Sequence, residues 1–187
     1  MAGHLMRHNV EGGDSRSKVY VWNRTQSKAL EHAKEFGTIS TSSSSELVEK
    51  CDFVFMCLPN SKVVEDVIDS IMTRNSKLKG GKIFIDCTSG DPAITRMCSK
   101  KLRNANAYLV DAPVSGGPKG AKNGTLTVMM GGEDAHVKKV AVIVSKTFGK
   151  VVRHVGAVGA GHATKSVNNA LNVTQLVMAS GALLWLR

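Results

Sequence analysis

The sequence predicts an α/β protein: a largely parallel sheet covered by helices on both faces, ending in one long helix. Three observations carry this. DFVFMCLP (52–59), GKIFIDC (81–87), AYLVDAPV (107–114) and TLTVMMGG (125–132) are nearly continuous apolar runs, the pattern of strands buried on both faces. Helical stretches of about a dozen residues alternate with them. From Gly159 onward no strand pattern interrupts the chain.

Taken in order, KVYVW (18–22) is β-branched and aromatic and reads as the first visible strand. NRTQSKALEHAKEFG then switches to helical spacing, with Thr25 placed to cap the helix and Gly37 to close it. Ser42 to Ser45 read as a short polar loop before ELVEKC. After the 52–59 strand, ended by its proline, a helix spans about Ser61 to Met72 with Val63, Val64, Val67, Ile68 and Ile71 on one side. Asp91-Pro92 opens a helix that runs to about Leu102. The 111–124 stretch reads as a loop, EDAHVKKVAVIVSKTF as a helix, and KVVRHV as a short strand.

At 187 residues the chain holds one full domain plus a portion of another. It is 42% hydrophobic and 21% charged, so it can bury a core. No apolar run reaches the roughly 18 residues that cross a bilayer. The four cysteines show no CxxC pair and no metal-type spacing with the six histidines, so no metal is expected and a reducing compartment fits best. Cys57 and Cys87 lie in apolar runs and read as buried thiols. The formal charge of +10 is scattered over helices and loops with few aromatics nearby. A solvated surface explains it first, an anionic ligand second, nucleic acid a distant third. MAGHLMRHNV carries no acid, weakly like a targeting start, but it has no apolar signal core.

In open parallel sheets, ligands bind beyond the carboxyl ends of the strands. The residues after each strand are therefore the informative ones. At Asn23-Arg24-Thr25 a dinucleotide fold contacts the adenosine ribose, and an arginine there suits a 2′-phosphate; the other reading is a plain strand-to-helix turn. DAPVSGGPKGAKNG (111–124) has two prolines and four glycines, and Ser115, Gly116 and Gly117 would present a hydroxyl and N–H groups to a carboxylate. A plain connection is the alternative. GAGHATKSVNNALNV (159–173) is no phosphate loop, because Thr164 replaces the third glycine and no strand follows. Lys165, Asn168, Asn169 and Asn172 recur at helical spacing on one side, either facing a site or forming a polar surface.

VWNRT, MCLPN, FIDCTSGDP, DAPVSGGPKGAKNGTLTVMMGG and GAGHATKSVNN, in that order, resemble the β-hydroxyacid dehydrogenase family, typified by 3-hydroxyisobutyrate dehydrogenase. The resemblance implies a Rossmann-like NADP-binding domain over residues 1–158 and an interdomain helix over 159–187, the start of an all-helical domain. It implies Lys165 as the catalytic lysine, Asn169 as its helper, and Ser115, Gly116 and Gly117 as the clamp on a small carboxylate substrate. Leu58 and Pro59 match the dinucleotide wall with Val63 nearby, and Ser89 stands where the family usually has threonine beside the nicotinamide ribose. Asn23-Arg24-Thr25 matches the NADP-preferring members, with NAD as second choice. The implied reaction interconverts a small 3-hydroxy acid and its semialdehyde. The implied protein is a homo-oligomer at full length, cytoplasmic or else mitochondrial, with neither nucleic acid nor membrane as partner.

Against the family, the chain begins inside the first helix, without the first strand and GxGxxG loop, and stops at Arg187 before the helical domain. Residues 9–18 (NVEGGDSRSK) are a longer polar insert than the family's turn. The resemblance thus implies a core piece of the enzyme, impaired or inactive alone; the rival expectation is a non-catalytic remnant that binds an anion or a partner chain. It follows that KVYVW either pairs with DFVFMCL or leaves a gap of one strand, and that the last helix projects or pairs with another chain.

Overall fold

The computed structural model describes residues 1–11, 18–74 and 78–185. Helix α1 (Ala2–Glu11) is followed by β1 (Tyr20–Val21), α2 (Gln26–Phe36), β2 (Ile39–Ser40), α3 (Ser44–Lys50), β3 (Phe53–Met56), α4 (Ser61–Arg74), β4 (Ile83–Asp86), α5 (Pro92–Asn104) and β5 (Tyr108–Asp111). Then come β6 (Val114–Ser115), α6 (Gly117–Asn123), β7 (Leu126–Gly131), α7 (Asp134–Thr147), β8 (Gly149–Gly156) and α8 (Ala160–Trp185).

The main sheet runs in the order β3-β4-β5-β7-β6, with β8 beside β7. Strands β3, β4 and β5 are parallel and in register, Phe53 opposite Ile83 and Ile83 opposite Tyr108. Strand β7 runs antiparallel to β5 and β6 and parallel to β8. The sheet is α/β and mostly parallel, as expected, and side-chain alternation explains its double cover. Val54, Met56, Phe84 and Leu109 enter one core with Val64, Ile68 and Ile71 of α4 and Leu102 of α5. Ile83, Ile85 and Val110 enter the other with Val137, Val140 and Val144 of α7. Phe53 and Phe55 join that second core, where Phe55 meets Phe148 edge-on at 6.0 Å.

The helix ends follow local chemistry. Asp91 caps α5, its side chain accepting from the Ala93 N–H at 2.6 Å, and Pro92 fills the first turn. Gly37 closes α2 at φ 71°. Thr25 occupies the N-cap position of α2, but its side chain makes no capping bond; instead its own N–H donates to Asn23 Oδ1 at 2.9 Å. Ser44 and Ser45 are helical, because Ser43 accepts from the Glu46 N–H while Glu46 reaches back to Ser42. The expected 111–124 loop contains β6 and α6. Cys87 is buried, whereas Cys57 is exposed, since β3 ends at Met56 and leaves Cys57 in the turn beyond it.

Strand β1 pairs with β2, a strand the sequence reading did not anticipate, as a separate two-stranded sheet. Pairing of KVYVW with DFVFMCL is thereby excluded among the described residues. Residues 12–17 of the polar insert lie outside the described residues. Helix α8, about 39 Å long at 1.5 Å per residue, is buried at Gly161, His162 and Lys165. Beyond that it projects, with Leu176, Val177, Leu183, Leu184 and Trp185 all exposed.

Candidate functional site

The residues singled out beyond β3 and β4 are held by one short network. The Leu58 N–H donates to the Thr88 hydroxyl at 3.1 Å, and the Thr88 N–H donates to Asp86 Oδ1 at 3.0 Å. Asp91 N–H donates to Ser61 Oγ at 2.6 Å, tying the next loop to the start of α4. Asn60 caps α4 by accepting from the Val63 N–H at 3.0 Å. Pro59 and Ser89 stay exposed at the carboxyl ends of their strands, and Leu58 and Val63 are half-buried. Asn23, Arg24 and Thr25 are exposed at the end of β1, on the separate small sheet.

Ser115 ends β6, opposite Thr127 of β7. Gly116 follows at φ 137° and Gly117 at φ 63°, conformations that favour glycine, and both are exposed at the first turn of α6. Their N–H groups and the Ser115 hydroxyl lie on a sharp, open corner beside β7. Successive N–H groups in such a turn suit a carboxylate.

The start of α8 packs against β7 and β5. A Cβ on Gly161 would lie 2.5 Å from the Met129 carbonyl oxygen and 2.8 Å from that of Asp111, so only a glycine permits this approach. Fully buried Asp111 receives the helix end, its Oδ1 accepting from the Gly159 N–H at 2.7 Å and its Oδ2 from the His162 N–H at 2.9 Å. A carboxylate there also complements the positive end of the helix. Burial pushes the Asp111 carboxyl above its ordinary value, and the two N–H donors pull against that shift. The imidazole of His162 is fully buried among Thr88, Thr95 and Asp86.

Lys165 follows one turn later. Its side chain is only 9% exposed, and burial alone holds its ammonium below the ordinary lysine value. Asn168, on the same face, is half-buried, and its Nδ2 is buried with no hydrogen-bond partner among the described residues. Asn169 and Asn172 are exposed. The polar row therefore divides: Lys165 and Asn168 turn toward the protein, Asn169 and Asn172 toward solvent.

The structure thus ties Leu58 and the 88–91 loop to the start of α8, and packs α8 on β7, the strand that pairs with the β6 of Ser115. Asn23 to Thr25 stand apart from that framework. Sequence reasoning missed Asp86, Thr95, Asp111 and His162. Asp111 opens DAPVSGG and His162 sits inside GAGHATK, and both are ionisable residues set in apolar or glycine-rich runs, a readable signal of burial with a purpose. Two clefts, of about 360 and 610 Å³, contain none of the predicted site residues; the larger lies between Arg96 and Lys100 of α5 and the ends of β7 and β8. No cluster of metal-ligand type occurs among the described residues. Nor is any described helix long and apolar enough to cross a membrane.

Residues 1–156 match the family described as the NAD binding domain of 6-phosphogluconate dehydrogenase. The 2-(hydroxymethyl)glutarate dehydrogenase of Eubacterium barkeri is 38% identical over 135 residues, 72% of this chain and 44% of its own length. The mitochondrial 3-hydroxyisobutyrate dehydrogenase of Drosophila melanogaster is 36% identical over 140 residues, 75% of this chain and 42% of its own. The chain thus spans somewhat less than half the length of these two relatives. The structure of Mycobacterium tuberculosis 3-hydroxyisobutyrate dehydrogenase with L-serine superposes with a TM-score of 0.83 at 26% identity, covering 97% of this chain and 60% of that one.

Proposed function

The chain belongs to the β-hydroxyacid dehydrogenase family and carries its NAD-binding domain, and from that premise we propose that the protein interconverts a small 3-hydroxy acid and its semialdehyde. Lys165 carries the reading: a lysine nine-tenths buried, with no charged partner among the described residues, one helical turn after the His162 that meets the loop beyond β4. A bound nicotinamide dinucleotide supplies or accepts the hydride. Lys165 handles the proton, its ammonium donating to the carbonyl oxygen in reduction and its neutral amine accepting from the alcohol in oxidation. Lowering its pKa by burial brings those two forms closer to balance at the working pH.

The chain's other groups fit the two ligands on chemistry. Ser115 and the N–H groups of Gly116 and Gly117 take the substrate carboxylate, and the orphaned amide of Asn168 supports placing a polar group beside Lys165. Asn169 is the family's helper position; as it is exposed here, it serves a ligand only from the solvent side of α8. Leu58, Pro59 and Val63 offer an apolar wall, and Ser89 a hydroxyl, at neighbouring strand ends. The exposed guanidinium of Arg24, flanked by Asn23 and Thr25, suits a 2′-phosphate, so NADP is preferred over NAD.

Fluorescence titration of the purified chain with NADPH and NADH tests the cofactor reading. NADPH should bind more tightly, and Arg24→Asp should erase or reverse the preference; equal affinity in the unaltered protein would show the reading to be wrong. In an active preparation, Lys165→Ala should lower turnover by about two to four orders of magnitude with cofactor affinity unchanged. Near-normal turnover in that variant sinks the assignment.

A further inference from the structure

Lys165 is the last residue of α8 to be buried; of residues 166–185 only Asn168 and Gly181 are even partly covered. The position of its side chain is therefore set by the short stretch before it. Asp111 holds the backbone there, through the N–H groups of Gly159 and His162. One side chain of α8 itself adds a second hold: His162, three residues before Lys165 and on the same helical face.

The ring of His162 is held at two points, by the loop after β4 and by the first turn of α5. Nε2 lies 2.9 Å from the Thr88 carbonyl oxygen, which can only accept, so Nε2 carries the hydrogen and donates. Nδ1 then has only an acceptor's role, 2.6 Å from the Thr95 hydroxyl, whose single hydrogen it shares with the Asp91 carbonyl oxygen 2.8 Å away. Thr88 passes the hold onward, because its own hydroxyl accepts from the Leu58 N–H and its N–H donates to Asp86. There is no slack between ring and loop, since a Cβ on Gly90 would lie 2.8 Å from His162 Cε1. The charged or titratable groups facing the ring are Asp86, whose Oδ2 is 3.9 Å from Nε2, and Asp111, which binds its backbone.

We propose that His162 is a positioning residue: it locks the 88–91 loop to α8, and so fixes Lys165 relative to Ser89 and Leu58-Pro59. Apolar packing could hold α8 at a given depth, but two directional bonds from one ring also set its rotation about its own axis, which decides where Lys165 points. The role assigned to Lys165 itself rests on the proposed dehydrogenase function; the lock does not.

The test uses the full 187-residue chain and its His162→Leu, His162→Gln and Thr95→Val variants. Each is checked for folding by circular dichroism and urea titration. Competitive acetylation with peptide mass spectrometry then gives the rate and pH midpoint of Lys165 modification. In His162→Leu the midpoint should rise toward the ordinary lysine value and the intrinsic rate increase about tenfold, the scale of one buried hydrogen bond. Thr95→Val should move both part of the way, and His162→Gln, whose amide can donate to Thr88, should restore them. A folded His162→Leu with the wild-type midpoint and rate would make His162 a packing residue and overturn the proposal. If His162→Leu does not fold, Thr95→Val decides in the same way. With turnover measurable, kcat should fall about 100-fold, the scale of a 1 Å misplacement, with NADPH affinity unchanged. The acetylation shift in His162→Leu, together with near-normal turnover of Lys165→Ala in an active preparation, would keep the lock and remove the catalytic reading.

Discussion

Helix propensity and the structure make opposite forecasts for Gly161→Ala. In a helix interior, alanine is favoured over glycine by about 1 kcal/mol, so propensity alone says the variant gains stability. The structure places the new Cβ 2.5 Å from the Met129 carbonyl oxygen, where ordinary contact begins at 3.4 Å. The shortfall is about 0.9 Å against backbone on β7 and about 0.6 Å against backbone on β5, which cannot rotate away. Helix α8 must lift, and a lift of that size stretches the Asp111 bonds to Gly159 and His162, 2.7 and 2.9 Å at rest, to or beyond hydrogen-bonding range. Overpacking of this kind costs about 1–3 kcal/mol, and a buried donor left without its partner about 1–3 kcal/mol more. After the propensity gain, a net loss of about 1–5 kcal/mol is expected. Gly181→Ala is the internal control, because no atom of the described residues lies within 4 Å of a Cβ there. It should be neutral or slightly stabilising. Urea unfolding followed by circular dichroism measures both. If Gly161→Ala proves as stable as the wild type, the close seating of α8 on β7 is wrong.

Asp111→Ala should cost about 2–4 kcal/mol, since it orphans two N–H groups at the start of α8 while removing one buried carboxylate. Asp111→Asn, which keeps one acceptor oxygen, should cost less; unchanged urea midpoints in both would show that the carboxylate does not hold the helix. Lys165 gives a pH signature. Its folded pKa is lowered by burial, so the unfolded chain binds the extra proton between that value and the ordinary one near ~10.4. The penalty is fully present below the folded value and vanishes above the unfolded one, so stability rises with pH through that window. Lys165→Met should be more stable than the wild type near neutral pH, and the difference should shrink as pH climbs through the window. A difference that does not vary with pH would contradict the burial argument.

Continuous apolar runs identified β3, β4, β5 and β7, because a strand covered on both faces has no polar positions to confuse its period. Ile83 to Ile85 show why: alternate residues serve opposite cores, and all are buried. The two-residue strands β2 and β6 were harder to read. Ile39-Ser40 is too short to display any period, and its pairing with Tyr20-Val21 is fixed by the turn of chain at Gly37. Glycine and proline concealed α6, where Pro118 is tolerated in the first turn and Gly117 and Gly120 break any apolar stripe. The exposure of Cys57 turned on a strand end, and boundaries are what pattern reading resolves least.

The site divides along the same line. Lys165 and Ser115 to Gly117 were visible because a lone lysine and a glycine-rich corner depart from their surroundings. Asp111 and His162 were not, because what makes them matter is a meeting of residues 48 and 67 positions apart, Asp111 with Gly159 and His162 with Thr95. No local spacing encodes that. Yet the burial of these groups has a physical logic. Helix α8 has little apolar seating: only Gly161, His162 and Lys165 are buried, and its large apolar side chains from Val167 onward are exposed. Burial of so few residues cannot anchor a 26-residue helix by area alone. The anchoring falls to bonds of 2.6 to 2.9 Å made by a carboxylate and an imidazole. Such bonds are expensive to bury and strict about direction, whereas apolar contact is cheap and tolerant. A fold that needed only to hold the helix down could use leucine at position 162. A fold that must hold one lysine at a set angle beside two loops gains from a ring that binds at both ends.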